Sequence, residues 1–293
     1  MKKLAPLLII LAGCLWGTMG LFVRQLNDMG LSSMEIVEAR SILAALILLA
    51  CTALKDRKLL KLRPKNLWSL AGSGVLSIVF FNYCYFRTIA MMNLSAAAIL
   101  LYTAPIFVML MSLLFFRERL TARKVAALLM AFAGCCLVSG IASATESLSL
   151  GGLLLGLGSG FGYALYSIFS RFSLNQGLGS ITITDYTFLF AAIGGAFFTD
   201  FGKLAAAFSQ HGVYLLGFLV LYCVVTTVAP YLLYTKGLEF VENGPASVMA
   251  SVEPVVATLL GFVVFSETPT LSAVMGMVLV LGALVLLSLH PRQ

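Results

Sequence analysis

The sequence YTAPIFVMLMSLLFFRERLT at residues 102–121 recurs in altered form as SVEPVVATLLGFVVFSETPT at residues 251–270. The two stretches align without a gap at an offset of 149, which places Pro105 on Pro254. Few positions are identical, but the shared residues are unusual for their surroundings: a proline within an apolar run, and a glutamate where that run stops. This pattern indicates an internal duplication of the chain.

Composition places the duplication in a membrane. The 293 residues are 60% hydrophobic and 11% charged, with a mean hydropathy of +1.01, which is more apolar surface than a soluble protein of this size can cover. Apolar runs long enough to cross a core roughly 30 Å thick occupy residues 4–24, 34–54, 67–90, 94–116, 122–141, 151–171, 181–201, 213–236, 244–265 and 270–289. Lipid satisfies no backbone polar group, so each run is expected to be a helix. The predicted fold is an all-α integral membrane protein with ten transmembrane helices.

The ten predicted helices divide into two halves of five, residues 1–141 and 145–290. The gap-free alignment of residues 85–139 with residues 234–288 relates the later helices of the two halves. Because five is an odd number, the second half enters the membrane from the other side. The prediction is therefore two inverted five-helix repeats, an arrangement typical of secondary transporters.

The first helices of the two halves also align, at an offset of 145. This offset places Gly13 and Gly17 on Gly158 and Gly162. Small residues four apart let two helix backbones approach closely, so ordinary helix packing explains these glycines.

Positive charges lie in alternate connections. They precede helix 1 and cluster between helices 2 and 3 and between helices 4 and 5: Lys2, Lys3, Lys55, Arg57, Lys58, Lys61, Arg63, Lys65, Arg117, Arg119, Arg123 and Lys124. Lys and Arg are absent from residues 25–33, 91–93, 142–150 and 266–269. By the positive-inside rule both termini lie in the cytoplasm, which predicts a plasma-membrane protein, in bacteria one of the inner membrane. The net charge of +7 marks orientation and contact with the lipid bilayer, not nucleic-acid binding.

No residue pattern indicates catalysis, a metal site or a cofactor. His211 and His290 lie in a predicted loop and at the C-terminus, and the six cysteines fall inside predicted helices without metal-ligand spacing. The motifs Gly-x-Ser-x-Gly, His-Glu-x-x-His and the Walker lysine motif are absent. An intramembrane enzyme is therefore the least favoured function.

Glu253 is the residue expected to carry ion coupling. It lies about nine residues into helix 9, where the first repeat has Ala104, and this is roughly 13 Å deep at 1.5 Å per residue. A charge near the bilayer midplane costs about 2.5–3.5 kcal/mol on insertion scales. The following Pro254 leaves a backbone carbonyl without its usual partner. An acid beside loosened backbone is suited to binding a proton or cation; a glutamate held by structural hydrogen bonds is the alternative.

Arg40 and Glu38 in helix 2 and Asp185 in helix 7 are further charges within predicted helices. Two positions apart, Arg40 and Glu38 point to different helix faces. Arg40 is suited to gating or to binding a substrate carboxylate; alternatively it reaches the outer interface. Asp185 aligns with Arg40 at the offset of 145 and is expected at the cytoplasmic interface.

Glu118 and Glu267 close helices 4 and 9. A glutamate at a helix C-terminus opposes the macrodipole, so helix preference does not explain it. Arg117 and Arg119 flank Glu118, whereas Glu267 has no basic neighbour in the sequence. Both glutamates are expected to act as hinges or as caps of the following helix, with gating as the alternative.

Polar and aromatic residues recur at matching positions of the two repeats. The substrate-binding candidates are Trp16, Asn82, Tyr85, Tyr102, Tyr231, Tyr234 and Ser251. Aromatic walls suit a moderately apolar organic solute. Interior helix packing or an interfacial belt is the alternative for each residue.

Taken in order along the chain, these motifs resemble the drug/metabolite transporter superfamily, and in particular its EamA-type ten-helix branch. The resemblance covers essentially the whole chain and rests on Trp16-Gly17, Arg40, Tyr102-Thr-Ala-Pro105, Arg117-Glu118-Arg-Leu, Gly134, Gly244-Pro-Ala-Ser, Glu253-Pro254 and Ser266-Glu267. It implies a central cavity surrounded by helices 1, 3, 4, 6, 8 and 9.

The sequence therefore predicts a secondary active transporter for a small organic metabolite or drug. Export by alternating access around a midplane cavity, with proton or cation coupling, is the favoured mechanism. A non-enzymatic channel or a membrane assembly subunit is the alternative. The sequence does not distinguish a monomer from a homodimer.

Overall fold

The computed structural model describes residues 2–140 and 149–288, and in this part of the chain every regular element is helical. The membrane helices, in chain order, are α1 (Ala5–Asp28), α2 (Ser33–Lys55), α3 (Pro64–Met91), α4 (Leu94–Phe116), α5 (Ala122–Val138), α6 (Leu150–Asn175), α7 (Ser180–Phe198), α8 (Phe201–Leu238), α9 (Asn243–Phe265) and α10 (Leu271–Ser288). Among the described residues, all of these except α5 are long and apolar enough to cross a membrane. Helix α5 has 17 residues, about 26 Å at 1.5 Å per residue, which is close to the hydrocarbon thickness. The predicted all-α membrane fold is confirmed.

Helix α8 begins earlier than the apolar pattern predicts. The prediction starts this helix at residue 213, whereas α8 starts at Phe201, where the Asp200 side chain accepts hydrogen bonds from the first-turn backbone. Gly212 then interrupts the helix with φ 52° and ψ −129°. Hydrophobicity identifies only the part of α8 that spans the membrane, so the sequence analysis missed the short helix before Gly212.

Helices α4 and α9 are each broken near the middle, at equivalent positions. Helix α4 consists of Leu94–Leu101 and Ala104–Phe116, and α9 consists of Asn243–Ala250 and Glu253–Phe265. Each of the four bounds in α9 lies 149 residues after its counterpart in α4, which is the offset of the sequence alignment. A proline at the start of each later segment has no N–H to donate, so the earlier segment ends before it.

The contacts of α1 and α6 correct the predicted alignment of these helices. A Cβ added to Gly13 would lie 2.7 Å from the carbonyl oxygen of Ala250, and one added to Gly160 would lie 3.3 Å from that of Leu101. Leu101 and Ala250 are equivalent at the offset of 149, so Gly13 is equivalent to Gly160, at an offset of 147. The predicted offset of 145, which paired Gly13 with Gly158, is wrong. Glycines occupy every second position in this part of α6, and the sequence does not show which one matches.

Helices α5 and α10 pack against each other beside the remaining bundle. Gly134 of α5 and Gly276 of α10 face each other so closely that a Cβ on Gly134 would lie 2.7 Å from the Gly276 carbonyl oxygen. Helices α2 and α7 also pack on each other. These two pairings leave α1, α3, α4, α6, α8 and α9, the helices that the family resemblance implies around the centre.

The two ends of the bundle differ in charge. We call the end that carries the loops 56–63 and 117–121 the basic end, and the end that carries the loops 29–32 and 266–270 the opposite end. Lys203, near the start of α8, is a positive residue at the opposite end. Most of the predicted outer loop 142–150, and the predicted boundary between the repeats, lie outside the described residues.

Candidate functional site

Two cavities meet at Tyr163 in the middle of α6, and we call them together the central cavity. The first lies between α4, α6 and α9 and is lined by Leu101, Tyr102, Ala104, Pro105, Tyr163, Ser247, Ala250, Ser251 and Glu253. The second lies between α1, α3, α6 and α8 and is lined by Trp16, Ser77, Ile78, Phe81, Tyr163, Tyr166, Ser167, Tyr231 and Tyr234.

Glu253 is the one charged side chain among the described residues that line the central cavity. It is the first residue of the later segment of α9, so its carboxylate lies at a helix N-terminus, where the macrodipole favours negative charge. The side chain is partly exposed, and Tyr163 lines the same part of the cavity. The break in α9 therefore holds an acid at the wall of an aromatic space.

The wall opposite Glu253 is a cluster of aromatic rings. The ring centroid of Trp16 lies 5.2 Å from that of Tyr231 and 5.4 Å from that of Tyr234. Two of the tyrosine hydroxyls are fixed by hydrogen bonds, between Tyr166 and Thr235 at 2.6 Å and between Tyr234 and Ser167 at 2.7 Å. These bonds hold the rings in place and leave apolar faces and edges toward the cavity.

Most of the predicted binding residues lie at the central cavity. The structure places in its walls Trp16, Tyr102, Tyr231, Tyr234, Ser251 and Glu253. Asn82 lies behind the wall, where its amide donates to the carbonyl oxygen of Ile78 at 2.7 Å. Tyr85 packs on the lining residue Phe81, with centroids 6.1 Å apart.

Arg40 is buried inside the bundle, with 2% of its surface exposed, so the predicted alternative of reaching the outer interface is wrong. Its Nη2 donates to Oδ1 of Asn82 at 3.4 Å, and its Nη1 lies 3.6 Å from Sδ of Met19. Its Nε has no hydrogen-bond partner among the described residues. Contacts with α1 and α3 hold this cation inside the bundle.

Glu38 and Asp185 are both buried on the contact surface between α2 and α7. The expected position of Asp185 near the cytoplasmic face stays a prediction. Glu38 packs on Gly195, and Asp185 faces Thr52. The offset of 147 makes Glu38, not Arg40, the residue equivalent to Asp185. The two acids therefore occupy equivalent places on one helix interface.

Among the described residues, Glu118 and Glu267 accept no hydrogen bond from the helices that follow them, so the predicted cap is wrong. The hinge and gating roles stay predictions. Thr121 and Thr270 cap α5 and α10 through their hydroxyls. Glu118 instead accepts hydrogen bonds from the first backbone N–H groups of α9. Glu267 accepts a hydrogen bond from Arg24 at 2.8 Å, and no sequence pattern predicted this partner.

The folded chain matches known transporters along nearly its whole length. The EamA-like transporter family matches residues 3–140 and, again, residues 150–289. The chain belongs to the EamA-like transporter family. The two matches correspond to the two five-helix repeats; the finer boundaries at residues 141 and 145 stay a prediction.

Proteins named as transporters are similar to the whole chain. An uncharacterized transporter of Archaeoglobus fulgidus is 28% identical, with 95% of this chain and 94% of that protein covered. The uncharacterized inner membrane transporter YicL of Salmonella typhimurium is 25% identical, with 97% and 95% covered. A crystal structure with 19% identity superposes with a TM-score of 0.74 and covers 96% of this chain and 95% of that one, which supports the fold.

Sequence reasoning missed Tyr163, which lines both parts of the central cavity of this EamA-like protein. At the offset of 145 Trp16 was paired with Phe161, whereas the structural offset of 147 pairs it with Tyr163. The polar lining residues Ser77 and Ser167 were missed too, because serines are common in membrane helices and have no distinguishing signal. Among the described residues of this family member, no group of three His, Cys, Asp or Glu side chains is arranged to hold a metal ion.

Proposed function

We propose that this protein is a secondary active transporter that exports a small organic solute in exchange for protons, by alternating access around the central cavity. The observation that carries the proposal is the position of Glu253. A single carboxylate lies at the break of a membrane helix and faces an aromatic space between two inverted repeats. Membrane-embedded acids facing a cavity are typical of proton relays and substrate paths.

The walls of the central cavity support a solute that is neutral or cationic and partly apolar. The aromatic rings provide apolar area, and their faces attract cations at close range. The one charged side chain among the described lining residues is the carboxylate of Glu253, which is negative when ionised. A carboxylate solute would meet Glu253 without a lining cation to offset it, because Arg40 lies behind the wall.

Competition at Glu253 would couple the solute to protons. A carboxylate that binds a cationic solute must be ionised, and a protonated one releases that solute. Binding of one ligand therefore excludes the other, which is the condition for exchange. With protons entering the cell down their gradient, exchange drives the solute outward.

A continuous channel is less well supported. At the basic end, the first segment of α9 packs on the later segment of α4, and Glu118 joins the two. A pore would need an open route past this contact.

We further propose that both termini lie in the cytoplasm, so that the basic end faces the cell interior. In a bacterium the location would be the inner membrane, the location in the printed name of YicL. The placement of positive residues supports this orientation.

Purified protein in proteoliposomes tests the proposed exchange. A thermal-shift screen of amines, nucleosides, amino acids and sugars first identifies a solute that raises the melting temperature. Adding that solute outside the vesicles should then raise the lumenal pH, as reported by a trapped dye, because solute entering is exchanged for protons leaving. Glu253→Gln should abolish the proton signal, because an amide does not exchange protons at neutral pH.

Glu239→Gln is the matched control, since Glu239 pairs with Lys236 at 2.6 Å at the basic end and does not line the cavity. It should keep the proton signal. An unchanged proton signal in Glu253→Gln would disprove the coupling role. A coupled anionic solute would disprove the substrate class.

A further inference from the structure

We propose that Glu118 and Glu267 are two alternating latches: each carboxylate closes one end of the central cavity by capping the first turn of the broken helix in the other repeat. This inference rests on the proposed transporter function and adds to it the state that the structure represents. In that state the latch of Glu118 is closed and the latch of Glu267 is open.

The closed latch lies at the basic end. The carboxylate of Glu118 accepts the N–H of Asn243 at 2.8 Å and the N–H of Gly244 at 3.2 Å. The first N–H groups of a helix have no intrahelical partner, and a carboxylate there is favoured by the macrodipole. Arg171 supports the same turn by donating from Nε to Oδ1 of Asn243 at 2.9 Å.

Glu267 is prepared for the same task by its backbone. Arg117 and Ser266, which precede the two glutamates, are left-handed with φ of 55° and 56°. The backbone N–H of Glu118 donates to the carbonyl oxygen of Ser112 at 3.2 Å, and the N–H of Glu267 donates to that of Gly261 at 3.2 Å. Ser112 and Gly261 are equivalent at the offset of 149. The two latches therefore start from the same local geometry.

The open latch lies at the opposite end. There Glu267 pairs with Arg24, and the two side chains are 54% and 58% exposed. Arg24 also lies over the ring of Phe265, 4.2 Å from its centroid. An ion pair so exposed to solvent is weak and is readily exchanged.

Burial of the later helix segments agrees with one closed and one open end. In α4, the buried residues of Ala104–Phe116 include Val108, Met109 and Ser112. In α9, the buried residues of Glu253–Phe265 are Pro254 and Val255 alone among those described. The surface of α9 that would meet the first segment of α4 is therefore uncovered, and the central cavity is closed at the basic end and open at the opposite end.

The inverted repeat identifies the partner of Glu267 in the other state. The residues equivalent to Asn243 and Gly244 at the offset of 149 are Leu94 and Ser95. These begin α4, whose first turn is already capped in part, by Oδ1 of Asn93 accepting from Ala96 at 2.8 Å. Closure at the opposite end would bring Glu267 to the N–H groups of Leu94 and Ser95, while Glu118 releases α9.

Arg24 has a second role in this scheme. It lies four residues before the end of α1, as Arg171 lies four before the end of α6, and the two are equivalent at the offset of 147. In the open state Arg24 holds Glu267 away from α4. After closure it would support the first turn of α4, as Arg171 now supports that of α9.

Accessibility labelling tests the latches without any transport assay. Ser247→Cys supplies a reporter thiol at the central cavity, and mass spectrometry separates its labelling from that of the native cysteines. A membrane-impermeant maleimide is added from one face of sealed vesicles at a time. Glu118→Ala should raise labelling from the basic end about threefold or more and lower it from the opposite end, because the closed latch is lost.

In Glu267→Ala, labelling from the basic end should stay unchanged or fall, because the state that is closed at the opposite end loses its cap. Arg24→Ala should raise labelling from the basic end, because Glu267 is then free to cap the first turn of α4. Glu239→Ala, the matched control, should match the parent. If Glu118→Ala does not fold, Glu118→Gln, which keeps one acceptor oxygen, should shift labelling in the same direction.

Unchanged labelling in the Glu118 variants, or a rise at the basic end in Glu267→Ala, would overturn the latch proposal. Neither result would bear on proton exchange at Glu253, which is measured separately.

Discussion

Trp16 and Tyr163 occupy equivalent places in the two repeats and meet across the centre of the bundle, with ring centroids 6.3 Å apart and planes inclined by 69°. Tyr163 also lines the same part of the cavity as Glu253. One tyrosine thus connects the aromatic wall, the carboxylate and the symmetry of the fold. The two repeats contribute unlike rings at one position, which makes the central cavity asymmetric.

Tyr163→Ala should weaken solute binding by up to about tenfold, because an aromatic contact is worth about 0.5–1.5 kcal/mol beyond its buried area. Tyr163→Phe should retain most of the affinity, because the ring stays and the hydroxyl is lost. Fluorescence of Trp16 measures binding directly when the other tryptophan is removed by Trp68→Phe. Equal affinity in Tyr163→Ala and the parent would show that the solute does not contact this ring.

Gly13→Ala should destabilise the protein, because the added Cβ would lie 2.7 Å from the backbone carbonyl of Ala250 in α9. Overpacking of this kind costs about 1–3 kcal/mol. Gly20→Ala in the same helix is the matched control, since a Cβ there meets nothing within 4 Å. The control should be neutral or more stable by up to about 1 kcal/mol. Thermal unfolding in detergent compares the two, and equal melting temperatures would contradict the close approach of α1 to α9.

Arg40→Met should unfold at the same temperature as the parent or at a higher one. A buried cation without a carboxylate partner carries a desolvation cost, and replacing buried charges by apolar side chains of similar volume is often neutral or stabilising by about 1–4 kcal/mol. Arg40→Ala leaves a void and should be less stable than Arg40→Met. If Arg40→Met melts well below the parent, the charge itself stabilises the fold.

The orientation of the bundle is tested by labelling single introduced thiols on intact cells. Thr268→Cys, in the exposed loop at the opposite end, should react with an impermeant maleimide from outside. Lys61→Cys, exposed at the basic end, should react after the cells are opened. The reverse pattern would place the termini outside.

Sequence patterns located the membrane helices and the broken pair well. The prediction for helix 4 ended at Phe116, as α4 does, because its apolar run meets a polar loop abruptly. The site was predicted in part: Glu253, Trp16 and Tyr231 were placed in the wall correctly, whereas Tyr163 was missed. The role of Tyr163 could be inferred only from the alignment of α1 with α6, which depends on choosing among evenly spaced glycines. An error of two residues in that alignment rotates the helix by about 200° at 3.6 residues per turn.

The sequence by itself determined the helices, the duplication and its inversion, and the breaks at Pro105 and Pro254. Each follows from local causes: lipid leaves the backbone no partner but itself, and proline removes a donor. Only the tertiary structure decided that Glu118 caps α9 while Glu267 pairs with Arg24. These contacts join residues far apart in the chain, and they depend on how each helix is rotated and tilted against its neighbours. Two glutamates with the same local geometry therefore have different partners, because the first segment of α9 packs on the later segment of α4, whereas among the described residues the first segment of α4 has no comparable contact with the later segment of α9.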